Sequence, residues 1–364
     1  MTNTQKFISA LLFSLAILGI TGFPVQADEQ AATQMTLTLE QTVDLAIKNN
    51  LEVQLAGIEK NSTSISYNQA LHNQKNTDAT DYSTNLTKYL TPKINERKQE
   101  EAEKIYEITI NGVKTKTENA FYELLKASET EQIAENALQR ADEELKITNA
   151  KYAAGSATKK AVMQAEATKA SAQTTLSSAK NSIWLKNLAL NEILGLDMNN
   201  QITPSGMFEF STVNYDLNQL LTTALQENES VIKAQDTYEI AKWTYDFNVS
   251  YYTDSNWDSK LAKQDMLSAE IALKQAQNSV VTTVNQAYAS YKAYEDQYQY
   301  LLKLVDSCKE TYRLEWISYE AGLATPTEVA SASDDMQQAE ASLSECTYNY
   351  NTLKSKLKYS IYSN

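Results

Sequence analysis

Glycine and proline are scarce: eight Gly and four Pro occur in 364 residues, about 3% of the chain against a usual ~12%. That shortage excludes a loop-rich or all-β protein, and it excludes a nucleotide-binding α/β enzyme, which needs glycine turns. One His and two Cys leave almost no material for zinc, iron–sulfur or haem sites. Positive charge is outnumbered, with 32 Lys and Arg against 46 Asp and Glu and a formal charge of −14. Such a chain does not hold a polyphosphate backbone by bulk attraction, so nucleic acid is not an expected partner. What remains is rich in Ala, Gln, Glu, Lys, Leu, Asn, Thr and Ser, the composition of long helices with polar faces.

Residues 1–27 read as a secretory signal peptide. Lys6 gives a positive start, a mostly apolar run spans 7–23, and Val25-Gln26-Ala27 ends in small residues before Asp28 and Glu29. The alternative, an uncleaved anchor, meets a run that is short for a span and holds Gly19, Gly22 and Pro24 at its end. No Cys follows it to carry a lipid, and no later segment approaches 18 uninterrupted apolar residues. The expectation is an exported chain.

Most of the remaining breakers mark joints: Pro92, Gly155, the cluster of Gly195, Pro204 and Gly206, and the pair Gly322 and Pro326. Only Gly57 and Gly112 fall inside apparent helices. Between the joints, apolar residues recur at alternating spacings of four and three. One seam runs through Val280, Val284, Ala287, Tyr291, Tyr294 and Tyr298, then Leu301, Val305, Cys308, Tyr312 and Tyr319. It resumes after Gly322 at Val329, Ala332, Met336, Ala339, Leu343, Cys346, Tyr350, Leu353 and Leu357. A sustained 4-3 alternation is a heptad repeat, and a short turn between two such runs predicts an antiparallel helical hairpin. The earlier runs, from Val113 to Tyr152 and from Val162 to Leu190, follow the same plan. At 1.5 Å per residue these rods are on the order of 85 Å long, more than a globular core requires.

Self-comparison shows a duplication. Leu39, Gln41, Ala46, Asn50 and Val53 match Leu217, Gln219, Ala224, Asn228 and Val231. Val113, Ala120, Tyr152, Gly155, Ala157 and Thr158 match Val280, Ala287, Tyr319, Gly322, Ala324 and Thr325. The expected organisation is a first helical repeat over 28–203 and a second over 204–364. The second is shorter, and the loss falls between residues 238 and 280.

Together these features resemble the TolC-type outer-membrane efflux family. The resemblance is carried by the segment from Leu39 to Asn50 with its echo from Leu217, by the two Tyr-x-x-Gly-x-Ala-Thr turns, and by the run from Leu188 to Leu196 that closes the first repeat. It covers residues 36–361. It implies an all-α protomer with a long antiparallel coiled-coil hairpin in each repeat, and a homotrimer that forms a helical tube. The tube is then an exit duct without catalytic chemistry or cofactor, working with a membrane-fusion adaptor and a pump in the inner or cytoplasmic membrane. The adaptor would meet the hairpin tips: Gly155, Ser156, Ala157 and Thr158 on one, Gly322, Leu323, Ala324 and Thr325 on the other.

The chain departs from the family where its members place membrane-spanning strands. A spanning strand needs ~9–11 residues of alternating apolar character. Residues 75–91 are mostly polar, and residues 247–259 hold enough apolar side chains for one short strand at most. No transmembrane β-barrel is expected, which leaves an outer-membrane or periplasmic location open beside the surface side of a single membrane. A non-conducting envelope scaffold descended from such a duct is the alternative function. Tyr251, Tyr252 and Trp257 suit either packing at the loop or a membrane interface. Cys308 and Cys346 share the seam, but a turn near Ala324 places them some six residues out of register, roughly 9 Å along the helix, so core thiols are expected rather than a bridge. His72, near a helix end, reads as a solvated polar residue.

Overall fold

The computed structural model describes residues 34–206 and 210–359; the expected signal segment lies outside them. Strand β1 (Gln34–Thr38) leads into α1 (Leu39–Asn49) and α2 (Leu51–Asn76). A short helix α3 (Tyr82–Asn85) and a π turn (Leu86–Leu90) enter the long α4 (Thr91–Ala153), which turns back as α5 (Lys159–Leu194) and ends at β2 (Gln201–Ser205). The second repeat follows the same helical order with α6 (Leu217–Glu227), α7 (Glu229–Tyr251), α8 (Trp257–Glu320) and α9 (Pro326–Tyr359).

The joints form where the sequence supplies caps. Asn50 ends α1 and starts α2, its side chain accepting from the N–H groups of Glu52 and Val53. Asn228 does the same between α6 and α7, accepting from Ser230. Each satisfies helix-start donors that would otherwise lack partners. Pro92 sits in the first turn of α4 and Pro326 opens α9, positions where a missing N–H costs nothing.

Helices α4 and α8 are unbroken over 63 and 64 residues, each about 95 Å long. The heptad positions explain this continuity, because they line one face on which Val113, Ala120 and Leu124 of α4, and Val280, Val284 and Tyr291 of α8, are buried. Across the four long helices the packing order is α5, α4, α9, α8, with α2 also laid on α4 and α7 on α8. The rods therefore stand side by side as two hairpins. One core gathers Ala46, Val53, Val113, Leu124, Leu190 and Leu194, and the other Ala224, Val231, Val280, Val284, Tyr291 and Tyr350.

The helical pattern does not reveal a two-stranded parallel sheet in which β1 pairs with β2, in register from Gln34 opposite Gln201 to Thr38 opposite Ser205. Its strands are five residues each, too short for alternation to stand out in the sequence. Among the described residues there are no β-barrel strands, and no helix is long and apolar enough to cross a membrane. Residues 247–251 continue α7 as helix instead of forming a short strand. Tyr82 packs on Phe247, Tyr251 and Tyr252 at ring distances of 5.6, 5.2 and 5.1 Å, and its hydroxyl donates to Asn248 Oδ1 at 2.6 Å. Both connections thus meet at one end of the rods, and Tyr251 and Tyr252 pack there; Trp257 is exposed beside Lys260. Cys308 and Cys346 are free thiols. Lys309 reaches Glu340 at 3.1 Å, close to the facing expected of a turn near Ala324. His72 is exposed and bonds Asn76 within its own helix.

Candidate functional site

The two tips are built alike. Gly155 and Gly322 adopt φ of +72° and +76°, the left-handed conformation that glycine takes at least cost. A Cβ at either position would meet nothing within 4 Å, so the requirement is conformational and not spatial. The Ser156 N–H donates to the Lys151 carbonyl and the Leu323 N–H to the Ser318 carbonyl, both at 2.8 Å, closing the ends of α4 and α8. The return helices are capped by Thr158, which accepts from Ala161 N–H, and by Thr325, which accepts from Glu328 N–H and donates back to its carboxylate. The Thr325 backbone N–H, donating to the Glu328 carboxylate at 2.7 Å, and the Thr325 hydroxyl hold that carboxyl below the usual carboxylate range. Gly155, Ser156, Thr158, Gly322, Leu323 and Thr325 are exposed, with Ala157 and Ala324 half-buried. The expected tip residues therefore come together in two matched turns at the end of the rods opposite the aromatic connections.

The duplication is broken just behind the tips. Tyr319 is 2% exposed and its counterpart Tyr152 is 47% exposed. Tyr319 is covered by the other hairpin: its hydroxyl lies 3.1 Å from Thr148 Oγ1, and Lys151 Nζ donates to its carbonyl at 2.9 Å while sitting 3.6 Å over its ring. This staple between the hairpins was not legible in the sequence. Lys151 in the last turn of α4 reads equally as a favourable charge at a helix C-terminus.

Further along the rods, Arg140 donates to Ser333 at 3.3 Å and lies 5.7 Å from the Tyr312 ring. It borders a cavity of about 350 Å³ shared by α4, α5, α8 and α9. Glu144, also on its wall, is buried; burial, reinforced by Asp334, pushes its carboxyl up. The seam continues with Lys126 paired to Glu345, with Ser344 donating to Glu129 at 2.8 Å, and with Glu123 accepting from Tyr348 at 3.0 Å and Lys186 at 2.8 Å. Those donors outweigh burial and hold the Glu123 carboxyl low. At the far end Arg97 bridges Asp236 at 2.6 Å and Glu239 at 3.3 Å. Burial raises the Asp236 carboxyl, with Arg97 opposing it. The seam between the repeats is thus polar and ionic for much of its length. Among the described residues no group of His, Cys, Asp or Glu is arranged to hold a metal ion.

A geometry of paired rods with matched tips can span distance and present two equivalent turns to one partner. The family model described as outer membrane efflux protein matches residues 91–196 and 220–360. No curated protein matches the chain. Solved structures with a similar fold include the outer membrane protein VceC of Vibrio cholerae, with a TM-score of 0.76 at 14% identity over 89% of this chain and 96% of that one. The Campylobacter jejuni CmeC outer membrane channel aligns with a TM-score of 0.74 at 16% identity, over 89% of this chain and 85% of its own. The open state of the Neisseria gonorrhoeae MtrE outer membrane channel gives 0.68 at 14% identity, covering 89% of both.

Proposed function

The chain belongs to the outer membrane efflux protein family, and from that premise we propose that it is one protomer of a trimeric exit duct in the cell envelope. Three copies bring two hairpins each, so twelve long helices enclose the conduit. The observation that carries this reading is the pair of unbroken rods α4 and α8, one in each of two hairpins that pack together through α4 and α9 with their tips at one end. A scaffold that only fills space has no need of two rods of equal length whose turns end together.

The tips, Gly155 to Thr158 and Gly322 to Thr325, receive a membrane-fusion adaptor, which links the duct to a pump in the inner or cytoplasmic membrane. Small side chains and left-handed glycines there leave room for another helical hairpin to approach closely. In this reading residues 1–27 are the export signal, 28–203 the first repeat and 204–364 the second. The chain is exported and performs no catalytic step. It lies in the outer membrane or periplasm, or on the surface side of a single membrane. The connections packed around Tyr82 in place of spanning strands favour a duct that ends at a membrane surface, and they also keep the non-conducting scaffold as a second reading.

A photoreactive residue placed at Ser156 and at Leu323 in living cells tests the docking end. Capture of an adaptor from both tips is expected. Capture from the Trp257 end with none from either tip would overturn it.

A further inference from the structure

Arg140 and Glu144, one turn apart on α4, are charged groups that the fold leaves partly unanswered. Glu144 is 5% exposed and has no hydrogen bond or ion pair among the described residues. Burial, with Asp334 adding to it, disfavours its charge. Arg140 donates from Nε to Ser333 Oγ at 3.3 Å, while its Nη2 is buried without a partner among the described residues. Ser333 Oγ also accepts from Gln337 Nε2 at 3.3 Å, so one end of the guanidinium is anchored and the other is free to bond. A buried polar group without a partner is a cost to the fold, and two of them on one wall call for a reason.

Both residues border the cavity of about 350 Å³ where the two hairpins meet, a volume that admits a small molecule. Gln164 and Ser171 of α5 and Asp334 of α9 stand on its wall and are exposed, so the cavity opens to solvent. Packing of the rods alone does not ask for these groups. At the offset of 167 that relates Gly155 to Gly322, Arg140, Glu144, Trp316 and Asp334 correspond to Ser307, Thr311, Asn149 and Ala167. The same seam positions are thus filled by neutral residues in the other copy. Ala137 and Ala141, also on the wall, stand where α8 has the larger Leu304 and Cys308. The charged groups and the small residues that leave room for a ligand occur together, at one place.

The charges define what the cavity takes. One cation faces two acids there. A dianion such as phosphate would meet Arg140 but be repelled by Glu144 and Asp334, and a simple amine would answer the acids and leave Nη2 of Arg140 unmet. A zwitterion answers both, because a guanidinium is a strong partner for a carboxylate and an ammonium suits the paired acids. Tyr312 and Trp316, with ring centres 6.2 Å apart, supply an aromatic wall, which favours an ammonium or an apolar stem. We propose that this cavity binds a small zwitterion of the amino-acid class, its carboxylate held by Arg140 and its ammonium by Glu144 and Asp334. Every residue involved belongs to one chain, so the site goes beyond the duct reading and does not rest on it. A molecule bound there touches both hairpins and ties α4 to α9.

The test separates the ligand into its two ends. The full chain is purified as wild type and as Glu144→Gln, Arg140→Gln, Ala137→Leu and Trp316→Phe, with helicity followed by circular dichroism. Binding of β-alanine, γ-aminobutyrate and ε-aminocaproate is measured by calorimetry beside butylamine and butyrate, which carry one charged end each. At least one zwitterion is expected to bind and to raise Tm, with butylamine and butyrate weaker by about tenfold or more. Glu144→Gln and Arg140→Gln should each weaken the zwitterion by about the same factor, since each leaves one end unpaired. Ala137→Leu, which gives α4 the side chain that α8 carries at that position, should abolish binding with helicity kept. The wild-type comparison of whole ligand with halves decides the chemistry without any variant. The place is read from a ligand-induced change in tryptophan fluorescence that is lost in Trp316→Phe. Binding by none of the zwitterions, equal binding by the halves, or binding indifferent to Glu144→Gln and Arg140→Gln overturns the proposal. A fluorescence change that persists in Trp316→Phe, or binding that survives Ala137→Leu, overturns the cavity as its site.

Discussion

The two repeats use one helical plan and fasten it with different chemistry. In the first, the segment before α1 is held by backbone pairing as β1 against β2. Asn187 Oδ1 accepts from Ile202 N–H at 2.8 Å, and Asn191 Nδ2 donates to the Asn200 carbonyl at 2.8 Å. Beneath it lie Leu124, Leu190 and Leu194, all fully buried. In the second, residues 210–216 form no strand, and tyrosines hold them instead. Tyr291 occupies the position of Leu124; its hydroxyl donates to the Val213 carbonyl at 2.8 Å, accepts from Val213 N–H at 3.1 Å and meets Tyr350 at 2.7 Å. Tyr350 donates to Ser211, and Phe210 stacks on Tyr298 at 3.7 Å. The heptad spacing fixes where the rods touch, while the means of fastening the ends is free to diverge. That freedom explains why so many of the 22 Tyr sit in the second repeat.

The comparison can be broken at its strongest point by Leu124→Ala. The residue is fully buried at the centre of the aliphatic core, so a loss of about 2–5 kcal/mol is expected in denaturant unfolding, and the α5 end of the first repeat should lose amide protection ahead of the second. Gly195→Ala comes next. Gly195 has φ +60°, and a Cβ there would lie 2.8 Å from the Asn49 carbonyl oxygen. Backbone must move as well as strain, and about 2–3 kcal/mol should be lost; Gly155→Ala, with the same hand and open space, should cost about 1–2 kcal/mol. Equal losses at the two glycines would show that the contact with Asn49 is unimportant. Tyr291→Phe keeps the ring and removes the hydroxyl, leaving both polar groups of Val213 without that partner, at a cost of about 1–3 kcal/mol. Hydrogen exchange at Val213 should speed up with no change at β1.

The smallest effects are in pH dependence, and their signs oppose. Glu144 has its carboxyl raised by burial, so its ionisation opposes folding above the ordinary carboxylate range and that penalty is relieved on acidification. Glu144→Gln should therefore raise Tm at neutral pH and lose that advantage toward about pH 4. The Glu123 carboxyl is held low by Lys186 and Tyr348, so its contribution is present above the ordinary range and lost as pH falls through its lowered value. Glu123→Gln should lower Tm at neutral pH and flatten the acid side of the profile. Matching slopes for the two variants would contradict the assignment.

The rods were legible in the sequence because the 4-3 seam, the cap residues Asn50 and Asn228 and the turn glycines Gly155 and Gly322 each state a local requirement that nothing else in the fold overrides. The sheet was not, because a five-residue strand such as Gln34–Thr38 carries too few alternations to register and pairs with a segment far away in the chain. The contacts between the repeats were hidden for a related reason. Arg97 and Asp236, or Lys151 and Tyr319, are ordinary helix-surface residues until the two hairpins are laid side by side. The tip residues could be placed on turns from glycine and threonine alone, while the exposure of Tyr152 against the burial of Tyr319 depends on which neighbour each one has.

The account stands on the assembly. Native mass measurement of the purified chain, paired with end-on electron microscopy, tests it most directly. Three chains around an open centre ringed by twelve helices is the predicted result; a monomer at all concentrations, or a solid bundle with no central passage, would contradict it.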